Sequence, residues 1–285
     1  MKYIARYPLL VAAIFFSLAS GTLYLELKDL LPSGVLTVSV LDVGQGDAIF
    51  IETPQGNQIL IDSGPSAHVL KQLQSRMSFF DNSIDVVMIT HPDKDHIGGF
   101  RQIFDRYDIE LVLESGVKVS TDIYKKVDSA ITQEGSKRIF ARRGMDIVLD
   151  IDVHLFILFP DRDVSGLDTN DGSIIAKLVY KNTSMMFMGD ASDNIETYLV
   201  EQDDGLLDSD VLKVGHHGSK TSTSELFVDV VSPDVAVISA GKNNRYGHPH
   251  EDILRRFSER DIFVVGTYEE GTLVFESNGK LWVRK

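Results

Sequence analysis

There is no cysteine in the 285 residues. Disulfide frameworks and thiolate metal sites are thereby excluded, and any metal must be held by His, Asp or Glu. The absence says nothing about compartment, because a chain without thiols survives in either redox environment. No low-complexity block interrupts the chain, so its length suits one large α/β domain or two small ones, with one favoured. Basic charge is scarce. Lys and Arg number 28 against 42 Asp and Glu, a formal net charge of −14, and no Lys/Arg-rich run occurs. Such a balance argues against a surface that coats nucleic acid. Carboxylates that hold divalent cations soften this, since two such ions offset roughly four charges locally. Neither a Walker A loop nor a Rossmann fingerprint is present, and Gly-Gln-Gly at 44–46 is too weak a signal for either.

What is there begins with an uncharged run, Tyr7–Leu25 (YPLLVAAIFFSLASGTLYL), preceded by Lys2 and Arg6 and followed by Glu26. As a helix it would span about 28 Å, just enough for a bilayer core. The flanking charges predict a cytoplasmic N-terminus and a single-pass membrane anchor with its linker over residues 1–34. They also predict an extracytoplasmic body over 35–285. A cleaved signal peptide competes, because Ser17 and Ala19 offer small residues for cleavage, and would make the body secreted. A buried core helix is the third reading.

From residue 35 the pattern alternates. VLTVSVLDVGQGDAIFIETPQGNQILIDSG reads as three strands, and AHVLKQLQSRM as a helix. IDVVMIT is a buried strand running into THPDKDHIGG, and HIGGFRQIFDRY begins a helix. Strands then come in runs with helices between the later ones, which fits sheets packed face to face with helices outside. QILIDSG and MMFMGDA both read as apolar strands ending in Asp at a glycine turn, a hint of two related halves.

Six of the eight histidines fall in three tight groups: His91/His96, His216/His217 and His248/His250. Each follows a predicted strand or sits where a loop enters a helix, the positions at which sites are built on a rigid sheet. Residues 90–99 add Asp93 and Asp95 to the first group. A polar turn capping the next helix would not need four ligand-type side chains.

LIDSG, THPDKDHIGG, MGDA and KVGHHGS, in this order, resemble the metallo-β-lactamase superfamily. LDVGQGDA (41–48) and YGHPH (246–250) resemble its branch found as the extracytoplasmic domain of ComEC-type competence DNA-uptake proteins. The resemblance covers about residues 35–285. It implies a four-layer αββα sandwich with a site for two divalent metal ions, Zn or Mn. By resemblance His91 and Asp93 hold the first metal, Asp95, His96 and His216 the second, and Asp190 bridges them. Carboxylates with imidazoles suit either ion, and a bridging carboxylate is what sets two cations about 3.5–4 Å apart.

Two departures from the superfamily pattern stand out. Asp93 replaces a second His, and LDTNDGS replaces a loop that carries a ligand His. Asn170 and Asp171 are the nearest polar substitutes there; His154, mid-strand, reads as a surface histidine. The first metal position is therefore oxygen-rich. Asp42, Asp47 and Asp62 are expected to orient ligands from behind.

Ser222 and Glu225 have capping-box spacing, which would start a helix and aim its N–H groups at Ser219 and Lys220 as a phosphate cradle. Pro249 is placed near the first turn of a further helix, with His248 just outside it. In the resembling family that histidine points into the active site. The expected function is metal-dependent hydrolysis of a phosphodiester, DNA included, outside the cytoplasm. Asp95, His217 and His248 are its catalytic groups, and Ser219, Lys220 and Asn170 bind substrate. A non-catalytic metal- or nucleic-acid-binding module is the alternative. The membrane enters as a partner through the N-terminal helix, and no protein partner is expected.

Overall fold

Two sheets form the frame, in a computed structural model that describes residues 8–29, 34–202 and 205–285. The first sheet holds β1 (Leu36–Val40), β2 (Ile49–Glu52), β3 (Gln58–Ile61), β4 (Ser83–Ile89), β5 (Asp108–Glu114) and β6 (Lys137–Phe140). The second holds β7 (Asp146–Asp150), β8 (Val153–Phe159), β9 (Ile175–Tyr180), β10 (Thr183–Phe187), β11 (Val211–Lys213), β12 (Val235–Ile238) and β13 (Phe263–Gly266). The chain then returns to the first sheet with β14 (Leu273–Ser277) and β15 (Trp282–Arg284). Spatial order is β15-β14-β1-β2-β3-β4-β5-β6 in one and β13-β12-β11-β10-β9-β8-β7 in the other.

The helices are α1 (Pro8–Asp29), α2 (His68–Gln74), α3 (Lys94–Ile97), α4 (Phe100–Phe104), α5 (Asp122–Glu134), α6 (Asp193–Glu201), α7 (Glu225–Val231), α8 (Glu251–Ser258) and α9 (Thr267–Glu270). Alternation along each strand sends one set of side chains inward. Val38, Ile51, Ile59 and Met88 of the first sheet meet Leu155, Leu178, Met185 and Phe187 of the second in a buried middle layer. The opposite faces are closed by helices. Phe50, Leu60 and Val87 pack on Val69, Phe100 and Ile131; Met186, Leu212 and Ala236 pack on Leu199, Phe227 and Phe257. The layers are thus α-β-β-α, as the strand-run pattern predicted.

The hint of two halves is visible in the pairing. β3 runs antiparallel to β2 and parallel to β4, and β10 runs antiparallel to β9 and parallel to β11. Each is the strand where its sheet switches from antiparallel to parallel, and each is followed by an aspartate, Asp62 or Asp190.

Three expectations are revised. The helix after the first histidine group is broken at Gly98–Gly99 into α3 and α4. A Cβ at Gly98 would lie 2.1 Å from the Pro65 carbonyl oxygen, and one at Gly99 2.5 Å from that of Ser63, so the chain crosses its neighbour where only glycine fits. Strands β6 and β13 were not anticipated. The third revision concerns the N-terminus, where α1 forms but, among the described residues, no helix is long and apolar enough to cross a membrane. The single-pass anchor, and the exported location inferred from it, are withdrawn. Lys2, Arg6 and residues 30–33 of the linker lie outside the described residues.

Candidate metal centre

The second strand of the first sheet's parallel block, β4, delivers Thr90 and His91 beside Asp62, at the end of β3. Asp62 sits in the left-handed region, at φ 57°, and is fully buried. It accepts hydrogen bonds from the Thr90 backbone N–H (2.9 Å) and hydroxyl (2.6 Å). His96 Nδ1, 2.7 Å from the same carboxylate, completes the set.

These contacts fix the imidazoles. The Thr90 hydroxyl spends its proton on Asp62, so toward His91 Nδ1, 3.1 Å away, it can only accept. His91 therefore carries hydrogen on Nδ1 and turns a bare Nε2 inward. His96 donates from Nδ1 to Asp62 and likewise points Nε2 inward. His217 donates from Nδ1 to the Ser239 carbonyl at 3.0 Å, with Asp47 Oδ1 at 3.3 Å, and does the same.

The three Nε2 atoms converge on Asp190, from the loop after β10. His96 Nε2 lies 3.3 Å from Oδ1; His217 and His91 lie 3.5 and 3.9 Å from Oδ2. Asp93 Oδ2 is 3.8 Å from His91, and Asp95 Oδ2 is 3.6 Å from His217. Ligand atoms of His91, His96 and Asp190 lie within 4.8 Å of one another, as do those of Asp95, His96 and His217. The three Nε2 atoms and Asp190 Oδ1 are buried and make no hydrogen bond. Buried polar atoms left so are costly unless something else coordinates them. The donor set is nitrogen and carboxylate oxygen, which fits a divalent metal such as Zn or Mn.

Without a metal, the buried imidazoles differ in charge. Burial drives His91 down to about 3, with His96 adding repulsion. For His217 burial works against charge, but Asp190 and Asp47 outweigh it and hold the group up at about 9. His96 is raised in the same manner by Asp190 and Asp62. Asp190 is held well below the carboxylate range, its burial overcome by His217 and His96.

His217, expected as a catalytic group, lies deeper in the cluster than its neighbour His216, expected as a metal ligand. His217 is 1% exposed and stands inside the ligand groups. His216 is partly open, with Nε2 3.7 Å from Asp190 Oδ2 and Nδ1 3.2 Å from Thr221 Oγ1. Both occupy positive φ, 48° and 55°. That pair of left-handed residues turns the second imidazole inward. Gly218, at φ 81°, then passes so close to Pro249 that a Cβ would sit 2.7 Å from it.

The helix-start cradle is not formed. The cap of α7 is Ser224, not Ser222, and Ser222 instead donates to the Gly215 carbonyl at 2.9 Å. The free N–H groups at that turn, Thr223 and Ser224, are taken by the buried Glu196 carboxylate. Ser219 is buried and bonded to Thr221 Oγ1 at 3.0 Å, while Lys220 is exposed. Pro249 precedes His250, the cap of α8, rather than lying in its first turn.

Thr169 donates to Asp93 Oδ2 at 3.0 Å, which brings the 168–173 loop to the edge of the cluster. Asn170 follows it, with a buried Oδ1 that makes no hydrogen bond. Asp171 instead accepts from Ser192 at 2.5 Å. His154 pairs with Asp146 at 3.0 Å and joins no ligand group. Asp62 and Asp47 contact His96 and His217 from behind the cluster, but Asp42 holds its own turn through Gly44 N–H at 3.1 Å. His248 stands beside His216, ring centroids 5.9 Å apart. Burial, then the charges of His217 and His216, lower it to about 4, so it is neutral at physiological pH.

The chain is 31% identical over 262 residues to ComE operon protein 3 of Bacillus subtilis, covering 86% of this chain. It is 27% identical to Competence protein ComA of Neisseria gonorrhoeae, covering 87%. Recombination protein 2 of Haemophilus influenzae is 32% identical, over 82%. These are ComEC-type competence proteins. The chain spans only 33%, 33% and 28% of their respective lengths, about a third.

The fold is shared with the metallo-beta-lactamase fold protein YhfI of Bacillus subtilis (TM-score 0.57, 12% identity, 85% of this chain and all of that one). It is also shared with CmlA, a diiron beta-hydroxylase of Streptomyces venezuelae (TM-score 0.54, 14% identity, 88% and 54%). At such identities these two bear on fold alone. Residues 41–242 match the model of the metallo-beta-lactamase superfamily. With the histidine and aspartate cluster inside that span, the chain belongs to the metallo-beta-lactamase superfamily.

Proposed function

We propose that this domain is a metal-dependent phosphodiesterase, with DNA within its substrate class. The observation that carries the hydrolase reading is the ring of buried, hydrogen-bond-free Nε2 atoms around an ionised Asp190. His91 and Asp93 would hold one ion and Asp95, His96 and His217 a second, with Asp190 between them. Bound there, two divalent ions would supply an activated water and offset charge on the phosphoryl oxygens. The substrate class rests on the resemblance to competence DNA-uptake proteins and on Asp93, which makes the first position harder and more anionic than an imidazole would.

The chain's own groups have separable tasks. Asp62 and Asp47 orient His96 and His217 through Nδ1, so that Nε2 is presented in a fixed direction. Asp95 is partly open to solvent; it orients the attacking water and passes its proton outward. His217 lies beside Asp95 and is buried, so it adds no route for bulk water. The neutral His248 offers a ring N–H to a substrate oxygen at the open side of the cluster.

The test is hydrolysis of a chromogenic phosphodiester or single-stranded DNA by the purified chain. Turnover should rise with added Mn²⁺, Asp93→Ala should abolish the rise, and a β-lactam should survive the same conditions. β-Lactam turnover equal to or above that of the phosphodiester overturns the substrate class. No turnover by a fully metallated protein leaves a binding module.

A further inference from the structure

One segment beside the cluster has no part in holding it: residues 242–248, between β12 and α8. It carries Lys242, Arg245 and an exposed Tyr246 in a chain of net charge −14. The loop is built rather than slack. Asn244 Oδ1 accepts from the backbone N–H of Tyr246 (3.1 Å) and of His248 (3.0 Å). Its Nδ2 donates to the carbonyls of Gly241 (2.9 Å) and His248 (2.5 Å).

One asparagine thus ties both ends of the turn and fixes where residue 246 emerges. Tyr246 stacks on His248, centroids 5.6 Å apart and planes 24° apart. The Arg245 guanidinium lies 4.8 Å from the Tyr246 ring centre and donates to its hydroxyl at 2.6 Å. Asp190, His216, His248 and Tyr246 form an unbroken series of neighbours, from the centre of the cluster to the surface.

Although it packs on His248 and Arg245, Tyr246 remains 48% exposed. Aromatic rings and guanidinium planes are what proteins use to stack unpaired bases, and arginine also pairs with the phosphates between them. A pre-ordered loop loses little freedom on binding, so such a contact is expressed almost fully as affinity.

We propose that Arg245 and Tyr246 form a subsite for an unpaired nucleobase adjacent to the phosphodiester held at the cluster. This rests on the phosphodiesterase reading and narrows it to single-stranded nucleic acid. A duplex keeps its bases stacked on one another and offers Tyr246 no face. Small phosphodiesters without a base reach the cluster but not this subsite.

The experiment compares a fluorescein-labelled oligothymidylate with the same sugar-phosphate chain lacking bases. Binding is read by anisotropy in metal-free buffer, and initial rates are read with Mn²⁺. The wild-type chain should prefer the base-bearing oligomer about tenfold in affinity and in KM, the range a single stacked base provides. Tyr246→Ala should erase the preference, Tyr246→Trp should keep it, and Arg245→Ala should reduce it.

Equal affinity of the wild type for both oligomers overturns the subsite, as does a preference that survives Tyr246→Ala. Hydrolysis of both oligomers without base preference also overturns the subsite but leaves the hydrolase standing. Base-dependent binding lost in Tyr246→Ala, with no hydrolysis at any metal concentration, supports the subsite and removes the hydrolase reading instead.

Discussion

Lys213 Nζ lies 2.7 Å from Asp47 Oδ2, with both side chains shut away from solvent. The pair ties β11 to the loop after β1, directly behind His217. It keeps Asp47 ionised without leaving a bare negative charge beside the ligand histidines. Removing one member strands the other charge in a low dielectric, which costs about 3–5 kcal/mol. Lys213→Met should therefore lower stability by about that much in urea denaturation, and Asp47→Asn by a similar amount. The double variant should fall well short of the sum, and simple additivity would show that the two do not act as a unit.

Metal content separates the two adjacent histidines. His96→Ala and His217→Ala should each lose at least one metal equivalent by elemental analysis while retaining the native circular dichroism spectrum. His216→Ala should keep its metal. The reverse pattern, loss in His216→Ala and retention in His217→Ala, would refute the placement seen here.

Metal binding should release protons. His217, held at about 9, carries a proton on the metal-free site at pH 7.5 that a cation must displace; His96 is shifted in the same direction. Apparent affinity should rise with pH up to about 9. The same shift sets a sign for stability. A histidine whose folded pKa exceeds its ordinary 6.5 stabilises the metal-free fold fully below pH 6.5 and loses that contribution as pH climbs through 9. Titration calorimetry in buffers of different ionisation enthalpy measures the release; identical heats in all of them would contradict it.

Gly46 offers a test of the loop that supports Asp95. At φ 129°, its missing Cβ would stand 2.1 Å from the Asp95 carbonyl oxygen. Gly46→Ala must move one backbone or the other, at a cost of about 3 kcal/mol. Thermal melting should shift downward and the second metal equivalent should bind more weakly, whereas Gly56→Ala, at a glycine with open space around it, should leave metal binding unchanged. Equal metal affinity in both variants would show that Asp95 does not depend on this contact.

Much of the site was legible because its residues cluster in short motifs at strand ends. Thr90 to His96 reads off one loop, and Asp62 and Asp190 sit at matching strand-end turns. What escaped was set by three-dimensional closure. His216 and His217 are adjacent and identical, and only the left-handed turn decides which imidazole faces inward. In TSTSE either Ser222 or Ser224 can cap a helix. Glu196, from another helix, settles that choice by taking the two N–H groups ahead of α7. The Lys213–Asp47 pair joins residues 166 positions apart, beyond any pattern of spacing. The N-terminal run read as a membrane span from its length and flanking charges, but among the described residues no helix is both long and apolar enough to cross a membrane.

The matching positions of Asp62 and Asp190 carry a consequence for division of labour. Both emerge from the strand at which a sheet changes direction, so the backbone treats them alike. Yet Asp62 is closed in by Thr90 and His96, and never meets solvent or substrate, while Asp190 stands at the meeting point of imidazoles from both sheets. Two strands paired alike thus end in aspartates with unlike surroundings. On the proposed reading, Asp62 would keep a ligand histidine still and Asp190 would be the ligand shared by the centre. Swapping the surroundings of these two aspartates, rather than the aspartates themselves, is what would move the centre from one half to the other.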